Sequence, residues 1–222
     1  MNTLTRHLTA LVATLALAAT AAGCANTPTA TPTADTADSQ ATLDALNNAN
    51  EITATKSLFS WSDEWVIEAD GNKVGTVTGQ ALYSIGDVYS LTTMNGNLVA
   101  SETEELNAIT HTATLYDWNN NPTGTLEERV LALMPTVDIH HTDANGSDNI
   151  TGTATTVFAS LTHQTTIADN AGAEAWNTER HAFTLRTTIT ITRNTAEGTV
   201  SGIDALMVTL MMSEIYDGAI NK

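Results

Sequence analysis

Two hydrophobic patterns divide this chain. From Ile52 to Val200, short runs alternate between apolar and polar residues, and turn residues separate the runs at short intervals. A period of two is typical of β-strands that bury one face. From Ile203 to Tyr216 the pattern fits an α-helix, and apolar residues cover nearly its whole circumference. Because such a helix cannot lie on a protein surface, we expect it to be buried.

The alternating region predicts six hairpins, or about twelve strands. Asp-Gly and Asn-Gly between alternating runs favour type I′ turns, which need positive φ at both central positions. The predicted strand pairs are 65–68 with 74–78, 88–92 with 98–101, 112–117 with 125–129, 136–141 with 150–157, 165–169 with a strand from 176, and 182–192 with a short return to 200. An open sheet of this size would expose its edges, and closure into a barrel removes them.

The predicted helix at 203–216 fits the interior of that barrel. Fourteen residues rise about 21 Å, which is less than the ~30 Å hydrocarbon core of a bilayer. A barrel of about twelve strands has a lumen too wide for its own side chains to fill. The predicted fold is therefore mainly β (α+β), a closed antiparallel barrel around a central hydrophobic C-terminal helix. The helix residues predicted to form the core are Ile203, Leu206, Met207, Leu210, Met211 and Ile215.

The amino-terminal end has the pattern of a bacterial lipoprotein signal peptide, residues 1–23. Arg6 precedes an apolar run from Leu8 to Thr20, and Ala21-Ala22-Gly23-Cys24 follows it. The lone Cys24 is the predicted lipidation site, although Ala21 stands where Leu is usual. The alternative is an ordinary secretory signal that leaves a free thiol. Lipidation predicts a protein anchored in the cell membrane on its extracytoplasmic face.

Residues 24–40 are predicted to be an extended tether. They are rich in Thr, Pro and Ala and contain no large apolar residue, so they cannot bury a core. Residues 41–50 carry a weak helical pattern through Leu43 and Leu46 and form a possible short entry element. The barrel domain is assigned to residues 41–222.

The charge of the chain excludes some functions. Lys and Arg number 8 against 25 Asp and Glu, and the formal net charge is −17. Binding to nucleic acid needs clustered Lys and Arg, so no nucleic-acid partner is expected. Electrostatic docking on anionic lipid is disfavoured for the same reason. With one cysteine, no disulfide within the chain is possible.

The sequence resembles the LURP-one-related family, which shares its fold with the tubby C-terminal domain and the phospholipid scramblases. The resemblance covers roughly 52–217 and rests on residues 56–63 (KSLFSWSD), their echo at 82–87 (LYSIGD), 94–97 (MNGN) and 203–207 (IDALM). It implies a twelve-stranded barrel around a hydrophobic C-terminal helix. The phosphoinositide binding of tubby domains is not carried over, because the basic residues here are scattered among acids.

No catalytic or cofactor motif was found in the sequence. The densest group of potential metal ligands is Asp138, His140, His141 and Asp143, but strand alternation places only one His and one Asp on a face. Residues 143–149 resemble a calcium loop superficially, and a hairpin turn explains them better. Three glutamates, Glu102, Glu104 and Glu105, are expected to form a solvated strand edge. Trp118 and Trp176 lie beside predicted turns, where an exposed indole can contact a carbohydrate or a partner.

The sequence thus favours a non-enzymatic module that binds an unknown protein or small molecule, or acts as a scaffold, with no cofactor. The alternative is a lipid-handling, scramblase-like or hydrolytic protein that uses loops at one barrel rim. The motivating features are the anchor, the plugged barrel and the missing catalytic motifs.

Overall fold

A computed structural model of the chain describes residues 36–56, 63–80, 88–106, 110–143, 147–159, 162–181, 187–195 and 198–220. Of the predicted elements, the signal peptide and Cys24 lie outside these residues. The motif at 56–63 and its echo at 82–87 also lie outside them for the most part.

Twelve strands and two helices make up the described structure. Their order and bounds are α1 Thr36–Asn48, β1 Glu51–Lys56, β2 Asp63–Ala69, β3 Asn72–Gln80, β4 Val88–Thr93, β5 Leu98–Leu106, β6 His111–Asp117, β7 Pro122–Glu128, β8 Thr136–Thr142, β9 Asp148–Ala159, β10 Thr162–Asp169, β11 Glu174–His181, β12 Thr188–Arg193 and α2 Gly202–Ile220.

The strands form one closed antiparallel barrel in which each strand pairs with its neighbours in sequence, and β1 closes on β12. The predicted fold class is confirmed. One predicted hairpin is wrong: residue 200 belongs to no strand, and β12 pairs instead with β11 and with β1. The twelfth strand is β1, whose Thr53 lies opposite Thr190. This closing pair joins distant parts of the chain, so no local turn signal marks it.

Helix α2 fills the barrel, as predicted, and is longer than the predicted 203–216. Leu206, Met207, Leu210 and Met211 are completely or almost completely buried, and Ile203 packs against the core at its edge. The opposite side of the helix, formed by Ala205, Val208 and Met212, is buried as well. The side chain of Ile215 lies outside the described residues.

Helix α1 packs across the end of the barrel at which α2 begins, which we call the α1 end. Its first turn overlaps the predicted tether, so the tether boundary at Gln40 is wrong: the helix begins at Thr36. The reason is packing, because Ser39 is buried and its hydroxyl donates to the carbonyl of Leu98 at 2.6 Å. The Asp38 carboxylate accepts hydrogen bonds from the Asn95 and Asn97 side chains in the β4–β5 turn.

The last turn of α1 meets the first residues of α2. A side chain at Gly202 would collide with the backbone oxygen of Leu46, so glycine permits the close approach of α1 to α2. Arg193 donates to the carbonyls of Ala49 and Asn47, and its guanidinium lies over the Trp176 ring, 4.3 Å from the centroid. A cation at the C-terminal carbonyls of α1 also complements the helix dipole.

Candidate functional site

A partly enclosed cavity of about 110 Å³ lies where α1, β5, β6, β8 and the start of α2 meet. We call it the His141 pocket. Most of its wall is apolar. The polar residues that also line it are Ser101, Tyr116, Asp117, Thr123, His141, Ser201 and Asp204. An apolar pocket with a few convergent polar groups is the usual form of a small-molecule site. The apolar side chains in its wall include those of Leu43, Val99, Leu115, Trp118, Ile203 and Met207.

His141 and Asp204 form an ion pair at this pocket. His141 Nε2 lies 3.1 Å from Asp204 Oδ1, and the Asp204 side chain is almost completely buried. The geometry is poor for a hydrogen bond, so the contact is mainly electrostatic. The Asp204 carboxylate raises the pKa of His141, burial of the imidazole opposes this, and the Thr123 backbone adds to the rise. The pair therefore favours a protonated imidazole beside a carboxylate, with no net charge.

Ser201 also hydrogen-bonds to Asp204, and these bonds cap the start of α2. The Ser201 hydroxyl donates to Asp204 Oδ2 at 2.5 Å and accepts from the Asp204 backbone N–H at 3.2 Å. The Ser201 N–H in turn donates to Asp204 Oδ2 at 3.3 Å. These reciprocal bonds are a capping box, which satisfies the free N–H groups of a helix start.

The grouping of Ser201, Asp204 and His141 is therefore not a hydrolytic triad. In a triad the histidine takes the serine proton and the carboxylate orients the histidine. Here the Ser201 hydroxyl is bound to the carboxylate, and the carboxylate stands between serine and histidine. The arrangement has no activated nucleophile.

Ser101 carries an unsatisfied hydroxyl at the same pocket. Its side chain is completely buried, and its Oγ has no hydrogen-bond partner among the described residues. A buried polar atom without a partner costs free energy, on the order of 1–3 kcal/mol. A ligand with a hydrogen-bonding head would remove that cost. The sequence did not single out Ser101, because nothing local distinguishes it from the many other Ser and Thr residues of the strands.

The predicted candidate metal ligands are separated by the fold. Asp138 accepts a bidentate pair of hydrogen bonds from Arg129 at 2.6 and 2.7 Å, His140 pairs with Asp148, and His141 faces Asp204. Within the described ranges, no three His, Cys, Asp or Glu side chains are placed to hold a metal ion. Thr142 at the end of β8 pairs with Asp148 at the start of β9, and the Asp143 N–H donates to the Ser147 carbonyl at 2.9 Å, which confirms a hairpin there.

The predicted solvated edge at Glu102, Glu104 and Glu105 is wrong for two of the three residues. Glu102 is 0% exposed and Glu104 is 4% exposed, whereas Glu105 is exposed. Glu102 lies opposite Tyr89 and Leu115, both buried, and directly opposed residues share one face of a sheet. Burial, with a smaller contribution from Glu104, raises the pKa of Glu102 well above its usual value.

The two turn tryptophans differ in exposure. Trp118 is half-buried and lines the His141 pocket. Trp176 is buried, and its Nε1–H donates to the Val200 carbonyl at 3.1 Å. An exposed contact role for Trp176 is therefore wrong. Trp118 remains a candidate contact residue, because it lines the His141 pocket.

Comparisons with protein-family models, characterised proteins and solved structures found no match to this chain. Within the residues that the structure describes, no helix has both the length and the apolar character needed to cross a membrane.

Proposed function

We propose that this protein is a lipid-anchored, extracytoplasmic binding module without catalytic activity. The anchor is a lipid on Cys24, at the end of a segment that leads to α1. The barrel and its buried helix agree with the LURP-one-related resemblance, which we keep as a proposal. The binding site is the His141 pocket, and its ligand is a small aliphatic molecule with a neutral or cationic hydrogen-bonding head.

Two observations carry this proposal: the apolar cavity itself, and the unsatisfied hydroxyl of Ser101, one of the residues that line it. An apolar cavity of ~150 Å³ holds benzene. The His141 pocket, at about 110 Å³, is smaller and suits a short aliphatic chain. The charges of His141 and Asp204 offset each other, but Asp117 also lines the cavity, and the chain as a whole has a net charge of −17. An anionic head is therefore disfavoured.

The test compares three probes with the same four-carbon tail: 1-butanol, n-butylamine and butanoate. Binding is followed through NMR chemical shifts. We expect saturable binding of the first two, and weaker or no binding of butanoate. Ser101→Ala removes the unsatisfied hydroxyl, so it should weaken binding of 1-butanol while leaving the fold intact. Equal binding by both forms, or no saturable binding by the natural chain, contradicts the proposed site.

The anchor is tested separately by mass spectrometry of the mature protein. The natural chain should carry the mass of a lipid on Cys24, and Cys24→Ser should not. If the natural chain is unmodified at Cys24, lipidation of Cys24 is not the anchor.

The alternative is a lipid-handling protein that uses loops at a barrel rim. One specific observation favours a membrane contact of this kind, namely an exposed apolar loop at the end of the barrel away from α1. No arrangement for hydrolysis accompanies it among the described residues.

A further inference from the structure

The loop that joins β7 to β8 presents apolar side chains to solvent. Leu131 is 96% exposed and Leu133 is 105% exposed, and Val130 and Met134 are each about half exposed. We call residues 129–135 the leucine loop. Single exposed apolar residues are normal on a protein surface, but a contiguous group of them marks an interaction site.

The exposure of the leucine loop is fixed by the structure that holds its ends. Arg129 donates two hydrogen bonds to the Asp138 carboxylate, and its N–H donates to the Thr136 carbonyl at 2.8 Å. The Thr136 hydroxyl donates to the Met134 carbonyl at 2.9 Å, and the Ala132 N–H donates to the Arg129 carbonyl at 3.3 Å. These bonds hold the backbone in a turn that directs the side chains of Leu131 and Leu133 away from the barrel.

The chemistry of the loop fits a lipid bilayer. Between Arg129 and Pro135 the side chains are aliphatic, and the one charged group is neutralised by Asp138. The loop therefore carries no net negative charge, unlike the chain as a whole. Protein docking sites are enriched in Trp, Tyr and Arg, and Leu is under-represented among their strongest contacts. Exposed aliphatic side chains without a net negative charge match the boundary between acyl chains and headgroups.

The position of the predicted anchor allows a simultaneous contact. The leucine loop lies at the end of the barrel opposite α1, because the pair Glu128–Val137 leads into it and the pair Gly124–His141 lies at the other end of the same strands. The seven residues of β8 span about 24 Å. The segment from Cys24 to Thr36 reaches at most about 42 Å. An acylated Cys24 and the loop therefore reach the same membrane.

We propose that the leucine loop inserts into the bilayer that carries the lipid anchor and so orients the barrel on the membrane surface. The orienting role rests on the proposed anchoring, but insertion itself does not. It is therefore tested on the chain from residue 24 onward with Cys24→Ser, which cannot be acylated.

The experiment measures flotation of this chain with vesicles of phosphatidylcholine and phosphatidylethanolamine, in low and high salt. We expect binding that survives high salt, because apolar insertion is not screened. Burial of one leucine changes binding about tenfold to a hundredfold. Leu131→Ser should therefore weaken vesicle binding at least tenfold, and Leu133→Ser should do the same. Both residues are fully exposed, so the fold is not at risk.

The matched control is Met94→Ser, an exposed apolar residue in the turn at the α1 end. It should bind vesicles as the parent chain does. The proposal is overturned if the parent chain does not float, or if Met94→Ser weakens binding as much as the loop variants. A third outcome also overturns it: the parent chain is a dimer by sedimentation, the loop variants are monomers, and vesicles are not bound. The leucine loop would then pair with a second copy of the chain. Absence of a lipid on Cys24 would contradict the proposed anchor and leave the result of the flotation experiment unaffected.

Discussion

Glu102 makes the stability of this protein depend on pH in a way that can be measured. Its side chain is completely buried, and neither carboxylate oxygen has a hydrogen-bond partner among the described residues. Burial raises the pKa of Glu102 well above the ordinary 4.5, so the folded protein keeps this group neutral over a pH range in which a free glutamate is already ionised. In the unfolded chain the same carboxyl ionises as the pH passes about 4.5.

The sign follows from proton linkage. Above pH 4.5 the unfolded state has released a proton that the folded state retains, so rising pH favours unfolding. The free energy of unfolding falls by about 1.4 kcal/mol per pH unit until the folded pKa is reached. The decline ends at the folded pKa of Glu102, above which both states are ionised.

The perturbation is Glu102→Gln, which has nearly the same shape and cannot ionise. The matched control is Glu105→Gln, three residues along the same strand and exposed, which removes the same ionisable group from the unfolded chain. The control is needed because the net charge of −17 also makes stability depend on pH. Urea unfolding is measured at pH 5, 6 and 7.

We expect Glu102→Gln to flatten the decline relative to Glu105→Gln, by up to about 1.4 kcal/mol per pH unit. The Glu102 variant should be more stable than the natural protein at pH 7 and nearly equal to it at pH 4.5. For a chain of this length, each 1 kcal/mol corresponds to roughly 2–4 °C in Tm. If the two variants show the same slope, Glu102 is ionised in the folded protein and its assigned burial is wrong.

Three further predictions concern the helices and the His141 pocket. Leu206→Asp places a carboxylate in the barrel core and should cost several kcal/mol in chemical unfolding, ~3 or more; unchanged stability would show that α2 is not buried. Gly202→Ala forces the backbone of Leu46 away from α2 and should cost ~1–3 kcal/mol, with hydrogen exchange increased in α1. His141→Gln should lower stability most below pH 6.5. The raised pKa of His141 stabilises the folded protein at low pH, and this stabilisation is lost as the pH rises through the pKa of His141 in the folded state. A pH-independent difference between variant and natural protein would mean that the Asp204 contact is not electrostatic.

The elements that the sequence predicted correctly are those with a local cause. Helix α2 was predicted because its apolar residues surround the helix, and this requires burial whatever encloses it. Most hairpins were predicted because Asp-Gly and Asn-Gly turns have a backbone preference of their own. The closing pair of β1 and β12 was missed because its register, Thr53 opposite Thr190, depends on the whole barrel.

The site was harder to predict because strand faces cannot be assigned without register. Glu102 and Glu105 look alike in the sequence, yet one faces the core and the other solvent. A bulge at Leu91 and Thr92 shifts the pairing of β4 with β5, so counting residues from the turn gives the wrong face. His141 and Asp204 come together only through the insertion of α2 into the barrel. The sequence predicted that His140 and His141 point to opposite faces of the strand, but it did not predict Asp204 as the partner of His141.

The central claim is that the His141 pocket, rather than another apolar surface, takes the ligand. The most direct test is a set of intermolecular nuclear Overhauser effects from bound 1-butanol. The account predicts contacts from the butyl chain to the methyl groups of both Leu43 in α1 and Met207 in α2, which line the pocket from opposite helices. Contacts confined to Leu131 and Leu133 would contradict it, because the alcohol would then bind the leucine loop and the pocket would have no part in binding.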